Sequence, residues 1–105
     1  MNIDPALMTQ AANAASELLR TLGHSTRLLI LCRLAQAECP VGDIVAFLGI
    51  RDSSVSQHLA LLRREGLVQA RRGGQTIYYS LASAPARQVL ETLCTIYCPP
   101  ASQQR

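Results

Sequence analysis

Apolar residues recur at helical spacing in the first third of the chain and predict two helices there. The first stripe covers Pro5–Leu22, with a proline near the start, where its missing N–H has no partner to lose, and Gly23 beyond the end. The second stripe predicts a helix from about Ser25 to Ala37, capped by Ser25 or Thr26. Because this second helix is apolar on most sides, we expect it to be central and buried.

Two shorter apolar patterns follow and predict a helix-turn-helix. The third helix is expected over Pro40–Leu48, and Gly49 suits the left-handed residue that often follows a helix end. The fourth helix is expected over about Ser53–Glu65, with Asp52 or Ser53 as its N-cap. Two short helices joined by such a tight turn form a motif that is typical of DNA-binding proteins.

Two β-prone runs on either side of a glycine pair predict a β-hairpin. The runs are Leu67–Arg72 and Gln75–Leu81, and Gly73-Gly74 is expected to form the tight turn between them. A last amphipathic helix is expected over Ala84–Tyr97. The order of elements is therefore α-α-α-α-β-β-α, a mainly α-helical chain with a small β-hairpin.

Length and composition indicate a single packed domain. The 105 residues are 49% apolar, which is enough for one core, and aromatic residues make up only 4%. The core is therefore expected to consist of Leu, Ala, Val and Ile. We expect residues 1–98 to form this domain and residues 99–105 to be a frayed tail.

Positive charge is concentrated around the fourth helix and the hairpin. The chain has a formal net charge of +3, and the stretch from Arg51 to Arg72 alone contains five arginines against two acidic residues. A local basic patch indicates a polyanionic partner, and arginine suits bidentate contacts with phosphate and guanine. Double-stranded DNA is therefore the expected partner.

The fourth helix has one apolar and one polar face. Val55, Leu59 and Leu62 fall at i, i+4 and i+7, so we expect them to face the core. The opposite face carries short hydroxyls and a glutamine, which could approach base edges in the major groove, although an ordinary solvated helix would show the same pattern. With the hairpin tip, this face supplies the candidate DNA contacts: Ser53, Ser54, Ser56, Gln57, His58, Arg63, Arg64, Arg71, Arg72, Gln75 and Thr76.

Several motifs resemble those of the ArsR family of winged-helix repressors, over almost the whole chain. They are Gly23-His24-Ser25-Thr26-Arg27-Leu28, Val41-Gly42-Asp43-Ile44, Ser56-Gln57-His58-Leu59-Ala60-Leu61-Leu62-Arg63, Gly66-Leu67-Val68 and Arg71-Arg72-Gly73-Gly74-Gln75-Thr76-Ile77-Tyr78-Tyr79. The resemblance implies a winged helix-turn-helix and a homodimer formed through the first and last helices. It also implies an inverted-repeat operator, from which an inducer releases the dimer. Two-fold symmetry would place the two recognition helices about 34–36 Å apart.

Four cysteines are candidates for the inducer site. They are Cys32, Cys39, Cys94 and Cys98, and the last two lie at i and i+4 on one face of the last helix.

We expect a cytoplasmic protein without membrane contact, because no apolar run could span a bilayer and the start lacks a signal-peptide pattern. In a reducing compartment we expect free thiols, either packed in the core or reactive, and not structural disulfides.

Two of the cysteine contexts resemble those of a thiol- and persulfide-sensing branch of the same family. Cys32 within Leu31-Cys32-Arg33-Leu34 and Cys98 within Ile96-Tyr97-Cys98-Pro99 carry this resemblance. It implies that Cys32 faces Cys98 and that a reactive sulfur species or an oxidant, acting as inducer, bridges them. The family's zinc-binding pattern is missing, because the last helix contains neither His nor Asp.

Two other interpretations remain open. A soft-metal(loid) repressor could bind arsenite or cadmium through Cys39, Cys94 and Cys98, although Cys39 lies one residue away from the family's ligand positions. A winged helix could also be a protein-interaction module that does not bind DNA. The chain has no Cys-x-x-Cys, only two histidines and no carboxylate pair at catalytic spacing, so we expect no enzyme activity and no cofactor.

Overall fold

Five helices and a three-stranded antiparallel sheet make up residues 2–98, the part of the chain that this computed structural model describes. The predicted tail, residues 99–105, lies outside that part. The order of elements confirms the predicted mainly α-helical fold with a β-hairpin, and one short strand adds to it. The elements are α1 (Pro5–Leu22), α2 (Ser25–Gln36), β1 (Cys39–Pro40), α3 (Val41–Leu48), α4 (Asp52–Arg64), β2 (Val68–Gly73), β3 (Thr76–Leu81) and α5 (Ala84–Tyr97).

The N-caps of α2 and α4 differ from the sequence prediction. His24 caps α2, because its Nδ1 accepts a hydrogen bond from the N–H of Thr26 at 3.2 Å. The expectation that Ser25 or Thr26 is the cap is therefore wrong. Helix α4 begins at Asp52 with Arg51 at the N-cap and without a side-chain cap bond, so the expectation of Asp52 or Ser53 as cap is wrong. Asp52 instead occupies the first turn, where its carboxylate interacts favourably with the helix dipole.

Glycines end α3 and α4, as predicted. Gly49 and Gly66 have φ of 66° and 76°, a left-handed conformation that glycine adopts without strain. Beyond α4, the N–H of Gly66 donates to the carbonyl of Arg63 at 3.0 Å and the N–H of Leu67 to that of Leu62 at 2.9 Å. This pair of bonds is a Schellman motif, and both of its leucines are buried. The Schellman motif therefore fixes the direction in which the chain leaves α4.

The hairpin turn lies one residue further along the chain than predicted. Gly73 is the last residue of β2 and pairs with Thr76, so the two-residue loop is Gly74-Gln75 and not Gly73-Gly74. Gly74 has a φ of 64°, whereas Gln75 does not have a positive φ. A positive φ at the first loop position alone fits a type II′ turn, whose twist matches that of the flanking strands.

The sequence analysis missed strand β1. Cys39 pairs with Tyr79 and Pro40 with Tyr78, and the strand order β1-β3-β2 places β1 at the edge of the sheet. An edge tolerates proline because its missing N–H removes no bond from the interior of the sheet. A two-residue strand that contains proline has no strand pattern of its own. It forms because β3 lies beside it, and it ties the start of α3 to the hairpin.

The core is built around α2, as its apolar pattern predicted. Ile30, Leu31 and Leu34 of α2 are at most 1% exposed. The other fully buried side chains come from β1, α3 and α4: Cys39, Ile44, Val55, Leu59 and Leu62. These residues anchor the helix-turn-helix to the central helix.

Apolar side chains on α1 and α5 stay exposed in the single chain. Leu7 and Leu19 of α1 are 59% and 56% exposed, and Ile96 and Tyr97 of α5 are 63% and 79% exposed. Both helices contact α2, and large apolar side chains at this level of exposure are typical of a surface that contacts another protein. No helix within residues 2–98 is long and apolar enough to cross a membrane.

The substitution Leu59→Ala is expected to lower the free energy of unfolding by about 2–5 kcal/mol, because it leaves a cavity beneath α4. Leu29→Ala, at a leucine on α2 that is 49% exposed, is the matched control and should stay within about 0.5 kcal/mol of wild type. Urea unfolding followed by circular dichroism at one fixed protein concentration measures both. Equal losses in the two variants would contradict the core position of Leu59.

Candidate nucleic-acid interface and thiol cluster

The outer face of α4 carries small polar side chains on a firmly held helix. Ser53, Ser56 and Gln57 are exposed and Ser54 is half-buried. The opposite face is buried, with at most 1% exposure for each of Val55, Leu59 and Leu62. Because those residues fix the helix, its outer face keeps one orientation. Hydroxyl and amide groups on such a face could reach base edges or phosphates in a major groove.

The last turn of α4 is basic. Arg63 and Arg64 are both exposed there, where positive charge interacts favourably with the carboxyl end of the helix. The polar serines and Gln57 lie in the first half of the helix, so the two kinds of side chain occupy different stretches of it. Arginines at this position could contact phosphates on either side of the groove that the helix enters.

His58 is half-buried against the start of α2, away from the freely exposed side chains of α4. Its ring lies 4.8 Å from that of His24, centroid to centroid, at an angle of 51°. Burial, followed by the nearby His24 and Arg27, lowers the pKa of His58 below the ordinary histidine value. A neutral imidazole here joins α4 to α2. The predicted DNA contact through His58 stays a prediction, and the structure gives its ring this other partner.

The polar residues of the hairpin differ in solvent exposure and in the contacts that they make. Gln75 at the tip and Arg72 are exposed, and Thr76 is half-buried. Arg71 is exposed too, but its guanidinium donates two hydrogen bonds to the carboxylate of Glu38, at 2.8 and 2.7 Å. The same guanidinium lies over the ring of Tyr78, 4.5 Å from its centroid. The hairpin arginine that has no such partner among the described residues is Arg72.

Glu38 is a member of the interface that the sequence analysis missed. The hydrogen bonds from Arg71 lower the pKa of the Glu38 carboxyl, so it stays ionised well into the acid range. The two residues are 33 positions apart in the chain, and the pairing of both β1 and β2 with β3 brings them together. No local pattern could have indicated this pair. Its negative charge compensates Arg71 and leaves less free positive charge on the hairpin than the arginine count suggests.

Three of the four cysteines meet at one cavity between α2 and α5. Cys32 on α2 and Cys94 and Cys98 at the end of α5 line a cavity of about 430 Å³ that is otherwise largely apolar. All three are free thiols with exposed side chains. The N–H of Cys98 donates to the carbonyl of Cys94 at 2.9 Å, which keeps these two residues one helical turn apart. We call Cys32, Cys94 and Cys98 the thiol cluster.

Burial and the neighbouring thiols raise the pKa of two members of the cluster, Cys32 and Cys98. Burial, followed by the neighbouring Cys94, raises the pKa of Cys32. A hydrogen bond with the Cys94 thiol is the main reason that the pKa of Cys98 is raised, followed by burial and the charges of Cys94 and Cys32. Both groups are therefore mainly protonated thiols at neutral pH, and their reactive thiolate forms accumulate at alkaline pH.

Cys39 does not belong to the thiol cluster. Its side chain is 0% exposed in the core, and its thiol lies 3.6 Å from the carbonyl oxygen of Pro40. The structure therefore does not bring together Cys39, Cys94 and Cys98, the ligand set considered for a soft metal. Within residues 2–98, no group of three or more His, Cys, Asp or Glu side chains is arranged to hold a metal ion.

Known proteins resemble this chain in sequence. The profile of the bacterial regulatory proteins of the arsR family matches residues 24–70. A biofilm growth-associated repressor from Agrobacterium fabrum is 43% identical over 96 residues, which cover 91% of this chain and 81% of the relative. The transcriptional activator HlyU from Vibrio cholerae is 40% identical over 91 residues, which cover 87% of this chain and 84% of the relative.

Solved structures resemble the chain in fold as well. Reduced HlyU from Vibrio cholerae superimposes with a TM-score of 0.84 at 39% identity, over 88% of this chain and 97% of HlyU. The transcriptional repressor BigR from Xylella fastidiosa superimposes with a TM-score of 0.84 at 37% identity, over 92% of this chain and 99% of BigR. The similarity therefore extends well beyond the helix-turn-helix, over most of the chain.

The two neighbouring hairpin arginines are expected to differ in their effect on DNA binding. Arg72→Ala should lower the slope of log affinity against log salt concentration by about one unit, as expected for one lost phosphate contact. The double variant Arg71→Ala/Glu38→Gln, which removes the neutral ion pair as a whole, should leave the slope unchanged. Fluorescence anisotropy with a duplex of random sequence over a salt series measures both. Equal changes in slope would show that Arg71 leaves Glu38 for a phosphate.

Alkylation of Cys32 and Cys98 by iodoacetamide is expected to be slower than that of a free cysteine at neutral pH and to speed up as pH rises. The reason is that the raised pKa of Cys32 and Cys98 keeps the thiolate fraction small until alkaline pH. Cys94→Ser should move the profile of Cys98 to lower pH, because it removes the thiol that most raises that pKa. Mass spectrometry of tryptic peptides at several pH values gives the rates, and a profile at or below that of a free thiol would contradict this expectation.

Proposed function

This chain belongs to the arsR family of bacterial regulatory proteins, and we propose that it is a dimeric repressor that leaves its operator when Cys32 and Cys98 become linked. It is a DNA-binding regulator of transcription, since relatives 43% and 40% identical over most of their length are named as a repressor and an activator. Both names describe regulators of transcription. The observation that carries the proposed switch is the position of Cys32 and Cys98 on two different helices at one cavity.

In the proposed complex, α4 enters the major groove and the hairpin lies beside it. Gln57 and the serines of α4 read base edges, while Arg63, Arg64 and Arg72 contact phosphates. The division of α4 into a fixed apolar face and an exposed polar face supports this arrangement. Arg71 supports the hairpin through Glu38 in the free protein.

The proposed homodimer buries the exposed apolar side chains of α1 and α5. Leu7, Leu19, Ile96 and Tyr97 are each more than half exposed in the single chain, so a second copy would remove a large apolar area from water. A two-fold axis between such helices presents two copies of α4 to one side of the duplex. An inverted-repeat operator with half-sites one helical turn apart fits this symmetry.

The proposed inducer is a reactive sulfur species, a low-molecular-weight persulfide. The Cys98 thiolate attacks the outer sulfur of the persulfide, forms a new S–S bond and expels the carrier thiolate. The Cys32 thiolate then attacks the sulfur of Cys98, forms a Cys32–Cys98 disulfide and expels HS⁻. One persulfide and two protein thiols thus give one disulfide, one carrier thiol and one H₂S; the protein sulfurs are oxidised and the transferred sulfur is reduced.

If both cysteines receive a sulfur first, a longer link forms. The two persulfides condense to a bridge of three sulfur atoms and release one H₂S. Reduced HlyU, a solved relative, is named by its redox state, which supports thiol chemistry as the signal in this group of proteins. The protein acts where the DNA is, in the cytoplasm, where its thiols begin reduced.

The central helix offers the route from the link to the DNA. Helix α2 contacts both α5 and α4, and at its start the ring of His24 lies against that of His58. Because packed helices behave as nearly incompressible bodies, a link between α2 and α5 changes their relative position and carries α4 with it. A small change in the distance between the two copies of α4 weakens binding at both half-sites.

Cys32→Ser and Cys98→Ser are each expected to keep DNA binding and to abolish its loss after treatment with inorganic polysulfide. Anisotropy or gel-shift titration on the duplex upstream of the protein's own gene measures binding before and after treatment. Peptide mass spectrometry of the treated wild type should find a link between Cys32 and Cys98. Cys39→Ala, which removes the buried thiol outside the cluster, is the matched control and should still be released.

Three results would contradict the proposed function. A Cys39–Cys94 link would place the chemistry elsewhere, and release by arsenite or cadmium without any link would favour a soft-metal(loid) repressor. A protein-interaction module would be favoured if the chain does not bind duplex DNA, or if its affinity for DNA does not fall steeply as salt rises.

A further inference from the structure

Cys94 has no part in the proposed switch, although it belongs to the same thiol cluster. It lines the cavity together with Cys32 and Cys98, and it lies one helical turn before Cys98. It also lies close enough to Cys32 for its charge to act on that thiol. Any sulfur electrophile that reaches Cys98 therefore meets two neighbouring thiols and not one.

Cys94 and Cys98 can bond when the end of α5 shifts slightly. Residues four apart in an α-helix have Cα atoms about 6 Å apart, within the roughly 4.4–6.8 Å that disulfides span. Their Cβ atoms lie about 5–6 Å apart, further than the roughly 3.5–4.5 Å of a disulfide, so Cys98 has to move towards Cys94. The 2.9 Å bond from the N–H of Cys98 to the carbonyl of Cys94 shows that helical spacing is kept to the end of α5. Cys98 itself has φ −80° and ψ 140°, so no further helical turn holds its side chain in place.

We propose that Cys94 competes with Cys32 for Cys98, so that sulfur delivered to Cys98 ends in one of two links. This inference rests on the proposed function and deepens it. The link to Cys32 joins α5 to α2, whereas the link to Cys94 closes within α5 and leaves α2 free. The Cys32–Cys98 link releases the protein from its operator, and the Cys94–Cys98 link does not. Cys94 therefore sets how much inducer is needed for release.

The competing reaction balances in the same way as the signalling one. After a persulfide has transferred its outer sulfur to Cys98 and released the carrier thiolate, the Cys94 thiolate attacks the sulfur of Cys98. A Cys94–Cys98 disulfide forms and HS⁻ leaves. Thiols can exchange with either disulfide, so the link can move between partners while free thiol remains in the cluster.

The arginine positions make the two links easy to tell apart. Trypsin cuts after Arg27, Arg33 and Arg87, so Cys32 falls on peptide 28–33, while Cys94 and Cys98 both fall on peptide 88–105. The signalling link joins the two peptides. The competing link stays within peptide 88–105, lowers its mass by two hydrogen atoms and blocks backbone fragmentation between the two cysteines.

The experiment compares wild type with Cys94→Ser and Cys32→Ser in the full chain, each treated with less than one equivalent of glutathione persulfide. Wild type should contain both links. Cys94→Ser should contain only the link between peptides, raised about twofold if the two partners react at similar rates, and should leave the operator duplex at about half the inducer dose. Cys32→Ser should contain only the link within peptide 88–105 and should remain on DNA. Cys94→Ala, with an unchanged circular dichroism spectrum, repeats the test with a second side chain.

The outcomes separate this inference from the proposed function. If wild type and Cys32→Ser lack the link within peptide 88–105, the role of Cys94 is overturned while the switch can stand. If that link alone releases DNA, the role of Cys94 and the proposed switch both fail, because release would not need Cys32. A Cys32–Cys94 link in wild type would overturn Cys98 as the shared thiol. If Cys94→Ser forms no link between peptides and stays on DNA, the proposed function itself fails.

Discussion

Burial of one face of α2 is the interaction on which the rest of the molecule depends. Ile30, Leu31 and Leu34 are almost completely removed from water, and α2 contacts every other helix and strand β3. The hydrophobic effect that holds these side chains in place also helps to set the position of α4, whose apolar face packs on α2. The outer face of the same helix carries Cys32. One element thus supports the DNA-reading surface and lines the thiol cluster.

Much of the fold could be predicted because its helices are amphipathic and glycines follow three of them, α1, α3 and α4. The bounds of α1 and α5 are those expected from the apolar stripes, α3 ends directly before Gly49, and α4 ends two residues before Gly66. The N-caps were predicted less well. Serine, threonine and aspartate were preferred as caps, whereas α2 uses the Nδ1 of His24 and α4 uses no side chain. Local propensity ranks residue types, but the surrounding packing decides which of several neighbours ends the helix.

Features that depend on distant pairing could not be predicted from the sequence. Strand β1 exists because β3 lies beside it, and the bond between Arg71 and Glu38 exists because of β1. The spacing of Cys94 and Cys98 indicated a shared helix face. The position of Cys98 beside Cys32 was implied only by the resemblance to known regulators. The position of Cys94 at the same cavity came from the structure alone. The predicted DNA contacts on α4 remain predictions, yet their exposure depends on Val55, Leu59 and Leu62, which the apolar pattern did identify.

The joint between α4 and the hairpin has a consequence for how this chain can change over evolution. The Schellman motif ends α4 at Gly66, Leu67 is buried within that motif, and the next residue, Val68, already begins β2 with its side chain in the core. Only Leu67 lies between Gly66 and the first residue of β2, and its N–H is already bonded to Leu62. An inserted or deleted residue would turn each β2 side chain to the other face of the sheet and misplace both hairpin arginines. The exposed side chains of α4 can therefore be exchanged without moving the hairpin, whereas the joint tolerates no change of length.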